Sequence, residues 1–293
     1  MTTLRIEHLT SYLYSEPVAF GRHRLVLRPR EGHDVRILDM KLEITPANRL
    51  LWSRDVFGNS VALVDFIEQA DKLEIRSEVV IRRTPPFCTE APRARWQVPY
   101  PVVYDPLETI VTAAYQALSY PDDVEELHAW LDCGLRIAAL TDADETVNAL
   151  GKLIHEQIRY LRRTEKGVQK PAETLRLGTG SCRDAATLMM EAARMLGFAS
   201  RFVSGYLHCV ASEAARASTH AWTEVYLPSL GWCGFDPTIG EPSSPNHIVT
   251  GVSNHPRGVM PVSGMFTGFA SHYRRMVVQV KTELINDIEA ERP

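Results

Sequence analysis

Residues 178–197 read GTGSCRDAATLMMEAARMLG, and the fold is decided there. Two glycines and a serine lead into Cys182, an unbroken helix-forming run follows, and Leu188, Ala192 and Met195 can face a core. Gly197 stands where a left-handed helix cap is expected. Cys182 is therefore placed at or near the N-terminus of a helix. Orphan N–H groups and the helix dipole put partial positive charge beside its sulfur, which favours the nucleophilic thiolate.

Downstream, HAWTEVYLP carries His220 and GWCGFDPT carries Asp236. The order Cys, His, Asp can supply a nucleophile, its base and a carboxylate that orients the base. A lone cysteine reads as buried and inert, but the glycine turn, the helix and two ordered partners favour the catalytic reading here. Thr219 to Leu227 alternates as a strand, and Pro228 to Gly231 turns it back into Trp232 to Asp236. An even turn after Leu227 would place His220 and Asp236 on opposite faces of the hairpin. An odd turn or a bulge is predicted, with Asp236 diagonally across from His220.

Outward from this centre, Arg201 to His208 is β-like, Cys209 to Ser218 reads as a loop, and His247 to Val252 and Met276 to Lys281 are further strands. Before the nucleophile the period is helical, over Leu107 to Leu118, Val124 to Leu140, and a stripe of Val147, Leu150, Ile154, Ile158 and Leu161. Six prolines from Pro85 to Pro106 mark a crossing linker. From Leu4 to about Arg83 the period is two: Leu38, Met40, Leu42 and Ile44 share a face, as do Leu73, Ile75, Val79 and Ile81, broken at Ser77. Asp55, Gly58 and Asn59 mark a turn. The expected division is a β-rich domain over 1–85, linker and helices over 86–145, and an α+β core with C-terminal strands over 146–293.

The chain has 293 residues, 45% hydrophobic and 23% charged, the composition of a globular protein with a real core. A net charge of -4 gives no reason to expect nucleic acid or a membrane as partner. No apolar run is long enough to span a bilayer, and MTTLRIEHLT lacks the pattern of a secretory signal, so the expected address is the cytoplasm. The five cysteines, Cys88, Cys133, Cys182, Cys209 and Cys233, form no C-x-x-C pair, consistent with a reducing compartment. His8, His23 and His33 have no companions at metal-ligand spacing and are expected to be surface or half-buried residues. His128 and His155 are read as structural, as are Cys209 and Cys233, although a Cys, Cys, His zinc site is conceivable.

GSCRDAATLMMEAARMLGFASRFVSGYL followed by HAWTEVYLPSLGWCGFDPTIG resembles the bacterial transglutaminase-like family, whose core is papain-like. YLYSEPV, RLVLRPR and DVFGN are similar to the β-rich N-terminal region that accompanies that core. The resemblance implies a Cys182, His220 and Asp236 triad in an α+β fold with no required metal or other cofactor. Ala185 stands where relatives commonly carry an aromatic residue, implying altered packing near the nucleophile. By position in the family pattern Tyr160 is a candidate second oxyanion donor beside the Cys182 N–H, and Trp222 a candidate wall of the site. Asp184 is read as a helix-start residue paired to Arg183 or another cation.

The expected chemistry is attack on a peptide or protein amide, through a thioester released by water or by an amine. Hydrolysis is favoured, because no second-substrate feature is identifiable; transglutamination is the alternative. A non-catalytic binding protein is the competing class. Oligomeric state is not legible.

Overall fold

The computed structural model describes residues 1–84, 97–163, 165, 167–208 and 219–285. Six strands come first: β1 (Thr2–Phe20), β2 (His23–Leu25), β3 (Val35–Thr45), β4 (Asn48–Arg54), β5 (Ser60–Phe66) and β6 (Ala70–Arg83). Three helices follow, α1 (Pro106–Gln116), α2 (Val124–Gly134) and α3 (Ala143–Gln157), then β7 (Arg159–Tyr160), α4 (Pro171–Leu177), β8 (Thr179–Gly180) and α5 (Cys182–Met195). The remainder is β9 (Ser200–Leu207), β10 (Thr219–Leu227), β11 (Gly231–Asp236), β12 (Glu241–Pro242), β13 (His247–Ser253), β14 (Val262–Ser263), β15 (Phe266–Thr267) and β16 (Tyr273–Ile285). The fold is α+β. The expected loop at Cys209 to Ser218 and most of the proline-rich linker lie outside the described residues.

The period-two segments form two antiparallel sheets, one built on β1, β6 and β3 and the other on β2, β5 and β4. Leu73, Ile75, Val79 and Ile81 are buried on β6, and Ser77, which interrupts the apolar pattern, is buried among them. Leu38 falls in a bulge between Ile37 and Asp39, where β3 slips against β6. Of the C-terminal strands that the sequence division put with the core, β13 joins the core sheet, and β14 to β16 join the N-terminal strands. β16 pairs with β1 from Thr3↔Ile285 to Tyr14↔Tyr273, β15 also joins β1, and β14 joins β2. Alternation reveals which face of a strand is buried but not which strand lies beside it. β1 offers two edges, and β6 covers only one.

The predicted helices form with shorter ends. α2 stops at Gly134, with Leu135 already extended, and α3 stops at Gln157, which leaves Leu161 exposed beyond it. Their apolar stripes meet α5 and one face of a third sheet in one cluster that includes Leu131, Leu150, Leu188, Ala192, Phe198, Val225 and Ala185. That sheet is antiparallel in the order β12-β11-β10-β9-β13. The Thr223 hydroxyl donates to the Ala186 carbonyl at 2.8 Å, tying the middle of β10 to α5.

The Asp55 to Asn59 turn joins the two regions. Asp55 accepts from the N–H groups of Phe57 and Asn59, Gly58 has φ 74°, and the buried Asn59 amide bonds both sides of the Val252 backbone on β13, at 2.8 and 2.9 Å. Two of the N-terminal histidines are deeper than expected. His8 is buried between Thr10 and the Tyr206 hydroxyl, and His23 is buried against the Gly21 carbonyl; His33 is exposed. His128 pairs with Asp132 at the surface, and His155 donates to the Thr238 carbonyl.

Candidate active site

The helix that begins at Cys182 is fixed by a carboxylate two residues on. Asp184 is fully buried and accepts from the Ser181 N–H (2.8 Å), the Ser181 hydroxyl (2.7 Å), the Gln169 N–H (2.8 Å) and Arg163 (2.8 Å). Its cation is therefore Arg163 and not the adjacent Arg183, whose side chain lines the cleft instead. Gly180 is required beside this network: a Cβ there would stand 2.9 Å from the Cβ of Asp184. At the other end Gly197 has φ 89°, with Phe198 N–H bonding Ala193 and Gly197 N–H bonding Arg194. This is the Schellman pattern expected of the left-handed cap.

The hairpin has the predicted parity. Leu227 pairs with Gly231 across a three-residue turn, Pro228, Ser229 and Leu230, in which Ser229 takes φ 69°. The register runs on to Thr223↔Phe235, so Trp222 stands opposite Asp236 and His220 is diagonal to it on the same face. His220 Nε2 lies 2.6 Å from Asp236 Oδ2. Cys182 and His220 line the same small cleft, and with Nε2 committed to Asp236 it is Nδ1 that is left for the sulfur. Sequence order alone brought these three residues to attention, and the fold brings them together.

Burial by itself would lower the His220 pKa, but the hydrogen bonds and charges of Asp236 and Cys182 outweigh it and push it up to about 10. Burial would raise Asp236. Bonds from His220 and His247, with the Thr238 N–H on Oδ1 at 2.9 Å, hold it well below the usual carboxylate range instead. His247, read from sequence only as the start of a strand, donates to the same Asp236 oxygen at 3.0 Å. Nothing in the local sequence marks it, because its partner lies on a non-neighbouring strand.

Trp222 is buried behind the triad, its ring stacked near His220 (centroids 6.2 Å apart, 27°) and edge-on to His247 (5.0 Å, 74°). It backs the imidazoles and does not line the open cleft. Tyr160 is 54% exposed on β7, paired with Gly180 two residues before Cys182, and it is not among the residues that line the cleft. Cys233 sits on β11 opposite Val225; Cys88 and Cys209 lie outside the described residues.

His220, Asp236 and His247 bring three potential metal-ligand atoms within 4.8 Å. Those atoms are spent on one another. The Ser244 N–H donates to His247 Nδ1 at 3.0 Å, so the proton of that ring is on Nε2, where a metal would need a bare lone pair. The cluster is a hydrogen-bond network centred on one carboxylate.

The cleft at Cys182 has a volume of about 60 Å³ and is lined by Arg183, Phe202, Ser204, Thr219, His220 and Met260 among others. Met260 also borders a larger cavity of about 470 Å³ walled by Tyr120, Lys170, His255 and Arg257.

Residues 131–237 match the model of the transglutaminase-like superfamily, and residues 4–82 match that of the bacterial transglutaminase-like N-terminal region. Over residues 131–237 the core resembles the transglutaminase-like superfamily. An uncharacterized protein of Mycobacterium leprae (strain TN), ML0607, is 24% identical over 297 residues, which cover 96% of this chain and 99% of that protein. A crystal structure of a candidate cysteine protease from Cytophaga hutchinsonii superposes with a TM-score of 0.72 at 16% identity, over 96% of this chain and 90% of that one. Legionella pneumophila LapG aligns over 48% of this chain and 78% of its own, with a TM-score of 0.34 and 11% identity. The transglutaminase-like core thus has the general fold of a cysteine enzyme. Among the described residues no helix is long and apolar enough to cross a membrane.

Proposed function

We propose that this protein is a thiol-dependent amide hydrolase in which Cys182, His220 and Asp236 act as a catalytic triad on peptide or protein amides. The observation that carries the reading is Cys182 at the first turn of α5, sharing one cleft with an imidazole whose Nε2 is 2.6 Å from a buried carboxylate. An imidazolium at Nδ1 and the positive end of α5 both stabilise a thiolate. The sulfur attacks the carbonyl carbon, a C–S bond forms, and the oxyanion rests on the Cys182 N–H, which as a first-turn group has no intrahelical partner. Tyr160, paired with Gly180 close before Cys182, is taken as the second donor.

The C–N bond then breaks as His220 hands its proton to the departing amine, leaving a thioester. His220 next takes a proton from water, hydroxide adds to the thioester carbonyl, and the acid leaves as the thiolate reforms. Asp236 holds the imidazole tautomer throughout. Cys133 and Cys182 carry thiols and not disulfides, which suits a reducing compartment such as the cytoplasm.

The test is turnover of glutamine-containing and ordinary peptides, with and without a primary amine, by the wild-type protein and Cys182→Ala. Release of acid or ammonia in the wild type alone is the expected result. An amine-linked product would make it a transglutaminase, and equal activity in the folded Cys182→Ala variant would remove the triad. Iodoacetamide that labels Cys182 no faster than exposed Cys133 would favour a binding protein.

A further inference from the structure

The segment from Ser243 to Asn246 connects β12, at one edge of the core sheet, with β13 at the other. It can approach the sheet because two strand positions carry no side chain. A Cβ on Gly234 would stand 2.1 Å from Ser243 Oγ, and one on Gly205 would stand 2.1 Å from the Ile248 carbonyl oxygen. His247 leaves this crossing segment with its ring buried. Its Nδ1 accepts the Ser244 N–H at 3.0 Å, so its Nε2 carries the proton and donates it to Asp236 Oδ2 at 3.0 Å.

The same oxygen accepts from His220 Nε2 at 2.6 Å, while Oδ1 accepts the Thr238 N–H at 2.9 Å. Three donors from three directions leave the carboxylate no low-cost rotation. A close imidazole and carboxylate can also share their proton, which would leave a neutral pair. A further N–H on the carboxylate opposes that transfer, because it stabilises the anion. Trp222 packs against both rings and so holds the two imidazoles relative to each other.

We propose that His247 is a positioning residue of the active site: its Nε2–H fixes Asp236, and through Asp236 it keeps His220 protonated at Nε2 and turned toward Cys182. This deepens the triad reading and rests on it. His247 itself touches no reacting atom, and its contribution passes through the carboxylate.

The test compares two conservative variants that separate its two hydrogen bonds. His247→Gln extends an N–H to about the Nε2 position and keeps the bond to Asp236. His247→Asn keeps an acceptor for Ser244 N–H but falls short of Asp236. Each purified protein is alkylated with iodoacetamide from pH 5 to 9, and the labelling of Cys182 and Cys133 is read by peptide mapping, with thermal melts in parallel. The expected result is that Cys182 labelling at pH 6 falls about tenfold in His247→Asn, the worth of one net hydrogen bond, and returns to near wild type in His247→Gln. Should His247→Asn melt near the assay temperature, His247→Leu removes the same donor.

Wild-type reactivity in the variant lacking the donor overturns the proposal. So do equal losses in the Asn and Gln variants, since those would mean that the ring's packing matters and its N–H does not. If wild-type Cys182 labels no faster than Cys133, the triad reading itself fails and takes this inference with it. The first two results leave the triad standing.

Discussion

Asp184→Ala is expected to be among the most costly single substitutions in the core. The carboxylate is fully buried and collects the N–H and hydroxyl of Ser181, the N–H of Gln169 and the Arg163 guanidinium, whose side chain is 15% exposed. Truncation leaves two buried N–H groups without an acceptor and a nearly buried cation whose other carboxylate, Glu165, is 3.6 Å away and 67% exposed. Removing one member of a buried pair costs about 3–5 kcal/mol, most of it the desolvation of the abandoned partner. That is a large share of the roughly 5–15 kcal/mol that holds a typical domain folded. Asp184→Asn keeps one acceptor oxygen and is expected to lose about half as much. Urea unfolding at pH 7, followed by circular dichroism and tryptophan fluorescence, measures both. Arg163→Met completes a double-mutant cycle, in which Asp184→Ala should cost about 1–3 kcal/mol less once the cation is gone. A loss below about 1 kcal/mol in Asp184→Ala, or strict additivity with Arg163→Met, would refute the account of how the first turn of α5 is held.

His8 titrates against folding on the acid side. Burial lowers its pKa from 6.5 to about 4, so the unfolded chain takes up a proton that the folded chain refuses, and stability falls as pH drops from 6.5 toward 4. His8→Gln is expected to flatten that part of the profile by on the order of 3 kcal/mol, read as the difference in urea stability between pH 7 and pH 4; an unchanged slope would show that other groups carry it. His220 has the opposite sign, being raised, so its contribution is complete below pH 6.5 and is lost as pH rises through about 10. Glycine to alanine should cost unequal amounts at two sites. At Gly197, where only φ 89° opposes it, about 1 kcal/mol is expected. At Gly205 the new methyl meets the Ile248 carbonyl at 2.1 Å and Trp222 at 2.7 Å, and a loss of about 3 kcal/mol or more is expected. Equal melting temperatures would contradict this.

What was legible in the sequence was local. The glycine cap at Gly197, the helix after Ser181 and the turn after Leu227 all follow from backbone rules that act within a few residues. The hairpin parity carried furthest: a shared face for His220 and Asp236 demanded an odd turn or a bulge, and the turn has three residues. The hidden features depend on which distant segments meet. Arg163 reaches Asp184 from the loop after β7, and His247 reaches Asp236 across two intervening strands; neither residue carries a local pattern that marks its partner. Ser77 broke an apolar run yet lies inside, because strand geometry faces every second residue inward whatever its chemistry. β16 carried an ordinary strand signal, which is silent about which sheet it joins.

The seating of β16 against β1 has a consequence for biosynthesis. Arg5 and Glu283 are hydrogen-bonded across 278 positions of sequence. At roughly 5–20 residues per second, β1 would leave the ribosome on the order of 15–60 s before the strand that covers its free side. Throughout that interval one long row of backbone donors and acceptors stays open to any passing strand. Chaperone demand should therefore fall on the nascent N-terminal half, and an expression fragment cut after the core would be expected to aggregate through β1.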